Sequence, residues 1–314
     1  MKYLVTGGAG FIGSNLVDAL VRRGDRVVVL DNLSTGKREN LESHSDRVTL
    51  VEGSITDLPT VRNAMHEVDF VFHEAALASV QRSVDDPLTS NDVNVKGTLN
   101  VLVAARDAGV KRVVYAASSS AYGDTEELPK HEDMPPKPQS PYALQKWVGE
   151  HYCRVFSELY GLDTVGLRYF NVFGPRQDPN SHYAAVVPIF VTRLLTNAAP
   201  TIYGDGEQSR DFTFIDNVVS ANLKACDGGP KRGAVVNIAC GAQYTLNELH
   251  ALLGTLIGTD VKPVYADARV GDVRHSMADV SAARELLGWQ PEIDFRDGLE
   301  RTVEWYRAAL SASR

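Results

Sequence analysis

The sequence predicts an α/β protein built on a doubly wound parallel sheet, with a smaller α/β part toward the C-terminus. Three observations carry that expectation. A glycine-rich turn joins the first apolar strand to the first amphipathic helix, short apolar runs then alternate with helical segments over roughly 170 residues, and from about Pro175 the alternation loosens.

Lys2 to Thr6 is a short apolar strand, and Gly7-Gly-Ala-Gly10-Phe-Ile-Gly13 follows it at once. Ser14 to Arg23 then repeats Leu16, Val17, Leu20 and Val21 at helical spacing. Strand, tight turn and helix in this order describe a dinucleotide site. Gly7 permits the turn, Gly10 lets backbone amides approach a pyrophosphate at the helix N-terminus, and Gly13 permits close packing of helix on sheet. Arg26 to Leu30 predicts a second strand, ending in Asp31, which lies 18 residues beyond Gly13. A carboxylate there can accept hydrogen bonds from an adenosine ribose and repels a 2′-phosphate, so NAD is favoured over NADP.

Further strands are predicted at Val48 to Val51, Phe70 to His73, Arg112 to Ala116 and Thr164 to Tyr169, most of them separated by helical segments. Such alternation implies a parallel sheet covered on both faces, with ligands at the carboxyl ends of its strands. Residues 1–175 are thus expected to form a Rossmann-type NAD-binding domain. Residues 176–314 are expected to be mainly a substrate-binding domain, where Gly and Pro increase, strands shorten, and helices such as Thr245 to Ile257 and Asp297 to Leu310 are irregularly spaced. Val235 to Ala239 is expected to return to the sheet.

Composition agrees with an enzyme of this kind. The 314 residues are 44% apolar, enough for a sizeable core, and the net charge of −8 argues against a nucleic-acid partner. The sequence shows no basic amphipathic stretch, signal peptide or apolar run near 18 residues, which points to a cytoplasmic protein with no membrane partner. Cys153, Cys226 and Cys240 are few and far apart, as reduced buried thiols are, and the eight histidines show no ligand spacing, so no metal is expected.

Tyr142 and Lys146, in Ser-Pro-Tyr-Ala-Leu-Gln-Lys, lie four residues apart on one helix face. A free phenol has a pKa of about 10, so roughly one molecule in a thousand is ionised at neutral pH, and an ammonium one turn away favours phenolate. Each unit of lowering needs about 1.4 kcal/mol, to which an oxidised nicotinamide adds its own charge in a dry cleft. The same spacing describes many ordinary solvated helix faces. The upstream dinucleotide turn gives this pair its weight.

Gly-x-x-Gly-x-x-Gly, Ser118-Ser119-Ser120, Tyr-x-x-x-Lys, Arg168-Tyr-Phe-Asn-Val-Phe-Gly174 and Ser209-Arg-Asp-Phe212 occur in this order. With them the chain resembles, end to end, an extended short-chain dehydrogenase/reductase of the NAD-dependent nucleotide-sugar epimerase family. Arg176-Gln-Asp-Pro-Asn180, Tyr183-Ala-Ala-Val-Val-Pro188 and Gly271-Asp-Val-Arg-His-Ser-Met-Ala-Asp279 look most like the UDP-N-acetylglucosamine and UDP-glucose 4-epimerases of that family.

The resemblance implies C4 epimerisation of a UDP-sugar through a transient 4-keto sugar. Tyr142 would be the base at the 4-hydroxyl, Lys146 would hold the nicotinamide ribose and lower the tyrosine pKa, and Ser118 would hydrogen-bond the 4-oxygen. Ser118 is selected because it lies four residues before Tyr122 of Tyr122-Gly123; Ser119 and Ser120 would face the substrate. In 4,6-dehydratases of this fold an Asp-Glu pair occupies those two positions, and a hydroxyl cannot replace a carboxylate as base unaided, so dehydration is disfavoured. On the cofactor side Phe11, Ile12, Asp31, Asn32, Thr35 and Gly36 match the pyrophosphate and adenosine ribose positions. Ser54, before Ile55, stands where relatives carry an Asp that binds adenine. Ala75, Ala76, Leu77, Asn94, Tyr169 and Val172 would line the nicotinamide side.

On the substrate side, Arg210 and Arg269 would clamp the diphosphate, since guanidinium donors match phosphate oxygens two at a time. Tyr203 would pack beside uracil, Asp272 would receive ribose hydroxyls, Asn171 would reach the diphosphate or sugar, and Val186 would also bind substrate. Ser276 matches the position that limits pocket size: serine leaves room for a 2-acetamido group where tyrosine does not. The expected substrates are therefore UDP-GlcNAc/UDP-GalNAc, with UDP-Glc/UDP-Gal also accepted. UDP-glucuronate or UDP-pentose epimerisation, and less so dehydration or net oxidation by NAD, are the alternatives. A homodimer is expected by resemblance, through a four-helix bundle of helices near Asn91 to Ala108 and Pro141 to Tyr160.

Overall fold

The computed structural model describes residues 1–44, 46–179, 185–268 and 273–312. The apolar runs form β1 (Lys2–Thr6), β2 (Arg26–Asp31), β3 (Val48–Glu52), β4 (Phe70–His73), β5 (Arg112–Ser118) and β6 (Thr164–Tyr169), and Ala234–Ile238 joins them as a seventh strand. The sheet order is seventh strand, β6, β5, β4, β1, β2, β3, and every neighbouring pair is parallel. Successive side chains go to opposite faces: Val27 and Val29 pack with Leu16 and Leu20 on one side, Val28 and Leu30 with Val61 and Val101 on the other. Burial on both faces is why these strands read as continuous apolar runs rather than alternating ones.

The chain runs from β1 outward to β2 and β3, then returns to β4 on the other side of β1. That reversal opens a crevice above the carboxyl ends of β1 and β4, where ligands of such sheets bind. Buried hydrogen bonds brace the crevice floor: Thr6 Oγ1 meets His73 Nδ1 at 2.8 Å, and His73 Nε2 meets Thr98 Oγ1 at 2.9 Å. Burial, aided by the Lys146 charge, pushes the His73 pKa down to about 3, so this histidine is a neutral brace.

Several elements differ from expectation for identifiable reasons. β5 runs two residues past Ala116 because Ala117 and Ser118 pair with Arg168 and Tyr169, a long-range match invisible to local periodicity. The seventh strand begins at Ala234 and ends at Ile238, one residue earlier than expected, and the first helix, Phe11–Arg22, starts directly on the glycine turn. The stretch expected as one helix near Asn91 to Ala108 is a short helix Pro87–Asn91, a π-helical turn Asp92–Gly97 and a helix Thr98–Asp107. Pro141–Tyr160 is helical over its whole expected length.

Beyond Pro175 the helix Ile215–Cys226 lies on the same face as Phe11–Arg22 and shares its apolar core. Three two-stranded pieces follow the sheet's carboxyl edge: Val172–Phe173 with Thr213–Phe214, Ser209–Arg210 with Tyr244–Thr245, and Thr201–Tyr203 with Val264–Ala266. The helix Leu246–Ile257 opens on a reciprocal cap, Thr245 accepting from the Glu248 amide while the Glu248 carboxylate accepts from the Thr245 amide. Among the described residues no helix is long and apolar enough to cross a membrane.

Candidate active site

The glycine turn has the shape a pyrophosphate needs. Gly7 has φ +69°, and a Cβ there would lie 2.8 Å from the Ala75 backbone; a Cβ on Gly13 would lie 2.2 Å from the Gly7 carbonyl oxygen. Gly10 caps the helix Phe11–Arg22 without a side-chain acceptor, so the first-turn amides of Phe11, Ile12 and Gly13 carry the positive end of the helix toward the crevice. Asp31, buried at the end of β2, accepts the Ala9 amide at 2.9 Å and the Leu33 amide at 2.8 Å. Each of its oxygens keeps a second lone pair for a ribose hydroxyl. Gly36 passes so close that a Cβ would meet Asp31 Oδ2 at 2.9 Å, while Asn32 and Thr35 sit exposed on the connecting loop. These residues fit an NAD adenosine diphosphate.

The remaining cofactor-side residues are held by neighbours. Ser54 Oγ is engaged inside its own turn, 2.8 Å from Thr56 Oγ1, and Ile55 is buried against Gly97. Asn94 is buried and clamps Leu77, accepting its amide at 2.9 Å and donating to its carbonyl at 3.2 Å, which fixes the loop through Ala75 and Ala76. Val172 begins its short strand, half-buried beside the core.

Ser118, Tyr142 and Lys146 come together at the crevice rim. Ser118 is the last residue of β5, and Tyr142 lies in the first turn of the helix Pro141–Tyr160. That helix start is fixed by Ser140, whose hydroxyl accepts the Ala143 amide at 3.1 Å, and by Ser83, whose hydroxyl accepts the Tyr142 amide at 3.0 Å. Gly149 lets the helix settle on β5, since a Cβ there would lie 2.2 Å from the Tyr115 hydroxyl. Ser118 neighbours the Tyr142 hydroxyl and acts to lower its pKa, and Ser120 Oγ reaches Ser118 Oγ at 2.8 Å. Ser119 and Ser120 form the turn just beyond the strand.

Lys146 is only 4% exposed and donates to the Ala116 carbonyl at 2.7 Å. Burial pulls its pKa down to about 8, while Glu74 and Glu150 act to raise it. One expectation is corrected here. In the protein alone the Tyr142 pKa is raised, because burial outweighs the lowering by the neighbouring Ser118 hydroxyl.

Sequence reasoning missed two groups of this site, the half-buried Glu74 and the buried Arg168. Glu74, directly after β4, accepts the Tyr169 hydroxyl at 2.9 Å; burial pushes its pKa up to about 7, against the pull of Tyr169 and Lys146. A carboxylate ending an apolar strand was the available signal. Arg168 grips Glu150 with two parallel bonds of 2.9 and 2.8 Å, locking the helix Pro141–Tyr160 to β6.

On the substrate side, Asn171 Nδ2 donates to the Asp211 carbonyl at 2.9 Å and reaches Ser276 Oγ at 3.3 Å, so Asn171 and Ser276 share one wall. Arg210 is half-buried, its Nη1 donating to the Ser209 carbonyl at 2.8 Å and to the Arg274 carbonyl at 3.3 Å. Tyr203, itself exposed, ends the strand Thr201–Tyr203, and Val186 opens the helix Val186–Leu195. Arg269, Asp272 and Tyr183 lie outside the described residues.

A dinucleotide cradle beside a Ser-Tyr-Lys set defines a nicotinamide-dependent redox centre. The NAD dependent epimerase/dehydratase family matches residues 3–239. A UDP-glucose 4-epimerase of Mycolicibacterium smegmatis is 44% identical, covering 98% of this chain and 99% of that protein. Among solved structures, a UDP-glucose 4-epimerase from Thermotoga maritima with UDP-glucose superposes with a TM-score of 0.94 at 43% identity, covering 99% and 100% of the two chains. The UDP-N-acetylglucosamine 4-epimerase from Methanobrevibacter ruminantium, in complex with UDP-N-acetylmuramic acid, gives 0.93 at 41% identity and 98% of each chain. The chain belongs to the NAD-dependent epimerase/dehydratase family and is an NAD-dependent enzyme of the isomerase class.

Proposed function

We propose that this protein inverts C4 of UDP-sugars through a transient 4-keto sugar, with UDP-GlcNAc/UDP-GalNAc as its preferred pair and UDP-Glc/UDP-Gal as a second. The observation that carries the reading is that Ser118 neighbours Tyr142, one helical turn from the buried Lys146, in the same fold as the glycine cradle. Bound NAD supplies a reversible acceptor for the C4 hydrogen. Tyr142 removes the proton of the 4-hydroxyl, Ser118 holds the same oxygen, and the pair returns the proton after the keto sugar has turned over in the pocket. Burial that raises the resting Tyr142 pKa also makes every nearby cation count for more, so Lys146 and an oxidised nicotinamide would favour the phenolate strongly there.

Ser119 and Ser120 bring hydroxyls where elimination across C5 and C6 requires carboxyl groups, which favours epimerisation over dehydration. The small Ser276 beside Asn171 favours a pocket with room for a 2-acetamido group. Residues 176–314 would supply most sugar-nucleotide contacts. A homodimer through the helix Pro141–Tyr160 is supported by the apolar side chains it and its neighbours leave in water, with Leu88 81% and Leu144 46% exposed. The test is to incubate purified protein separately with UDP-GlcNAc and UDP-Glc and resolve the C4 epimers. Epimer from both with faster turnover of the acetamido sugar supports the reading; no epimer from either refutes it.

A further inference from the structure

Asp211 has no role in the chemistry just described, yet it is fully buried, and among the described residues the groups that set its charge are backbone amides. Its Oδ1 accepts the Cys240 amide at 2.9 Å, and its Oδ2 accepts the Gly241 amide at 3.0 Å and the Ala278 amide at 3.1 Å. Its own carbonyl accepts Asn171 Nδ2 at 2.9 Å. One residue thus joins the turn after the seventh strand, the segment carrying Ser276, and the Asn171 side chain. The stretch just before it forms a seam with the same segment: the Ser209 amide donates to the Arg274 carbonyl at 3.0 Å, the Ser276 amide donates to the Ser209 carbonyl at 3.2 Å, and Ser209 Oγ meets His275 Nδ1 at 2.8 Å.

Only a carboxylate suits this position. It accepts several N–H groups and donates none, whereas an amide would turn its own N–H toward a backbone N–H. Burial pushes the Asp211 pKa up to about 6 even though the amides pull it down, so the charge is held at a cost to the fold. A costly buried charge held, among the described residues, by backbone amides is expected where geometry matters more than stability.

We propose that Asp211 is a positioning residue that ties Arg210, on the diphosphate side, to Ser276, on the sugar side, so that nucleotide grip and sugar-pocket width are set together. This rests on the UDP-sugar reading above. The Asp211 carboxylate holds Ala278, Ala278 lies two residues from Ser276, and Arg210 adjoins Asp211 in sequence. A shift of the carboxylate moves both ends.

The test uses the holoenzyme with Asp211→Asn and, as a milder cut in the same seam, Ser209→Ala. UDP affinity is measured by calorimetry, and kcat and KM are measured for UDP-GlcNAc and UDP-Glc. For Asp211→Asn the UDP Kd is expected to rise about tenfold, as loss of roughly one buried hydrogen bond would give. The kcat/KM preference for UDP-GlcNAc should fall about threefold or more, with kcat at saturation changing less than about threefold. Ser209→Ala should move both readouts in the same direction by less, and it decides the matter if Asp211→Asn fails to unfold cooperatively. A folded Asp211→Asn with unchanged UDP affinity and unchanged sugar preference overturns the proposal, as does a loss confined to kcat. If the unaltered enzyme turns over neither sugar, the C4 reading fails while the UDP affinities still decide the tie.

Discussion

Replacing Lys146 with methionine should remove activity and strengthen the cofactor-free fold. Burial lowers the Lys146 pKa from 10.5 to about 8. At about 1.4 kcal/mol per unit, holding the ammonium in the folded protein costs roughly 3 kcal/mol at neutral pH. Methionine fills similar space without the charge, but the Ala116 carbonyl loses its 2.7 Å donor, a loss of about 1 kcal/mol. The net expectation is a gain of about 2 kcal/mol at pH 7. The sign follows from proton counting: between about pH 8 and 10.5 the unfolded chain holds a proton on Lys146 that the folded chain lacks, so the unaltered protein gains stability as pH rises through that window. The variant should lack this rise. Urea unfolding at pH 7 and pH 10, read as midpoints at unchanged slope, measures both effects. A Lys146→Met protein less stable than its parent at pH 7 refutes the reasoning, and so does one that keeps more than about a hundredth of the parent turnover.

Gly13→Ala places a Cβ 2.2 Å from the Gly7 carbonyl, and backbone cannot yield there, so NAD affinity by fluorescence titration should fall more than about a hundredfold. Tyr142→Phe should keep NAD and UDP binding while turnover falls by about a thousandfold; comparable turnover would remove Tyr142 as the base. Ser276→Tyr should crowd the wall shared with Asn171 and reverse the preference toward UDP-Glc, read as the ratio of kcat/KM values. Sedimentation at micromolar concentration should show a dimer that Leu144→Glu weakens; a single 34.3 kDa species from the parent protein contradicts the four-helix interface.

The fold was legible where local pattern decides structure. The glycine turn and the strands Lys2–Thr6, Phe70–His73 and Thr164–Tyr169 follow from apolar runs bounded by breakers. What was not legible depends on residues far apart in sequence. The last two residues of β5 exist through pairing with β6, and the π-helical turn at Asp92–Gly97 accompanies Asn94 reaching Gln145 and Leu77. The site shows the same division. Tyr142, Lys146 and the glycines have spacings that carry their chemistry, whereas Glu74 and Asp211 matter through burial and through partners in other segments. The sign of the Tyr142 shift was likewise inaccessible, because spacing reports a neighbouring charge and says nothing of the desolvation that outweighs it.

The most direct test of C4 oxidation and return is the fate of a deuterium placed at C4 of UDP-GlcNAc and followed by mass spectrometry in the resolved epimer. If Tyr142 takes only the hydroxyl proton and the carbon-bound hydrogen comes back to the opposite face, the epimer keeps its label at C4. Loss of that label to water contradicts the account.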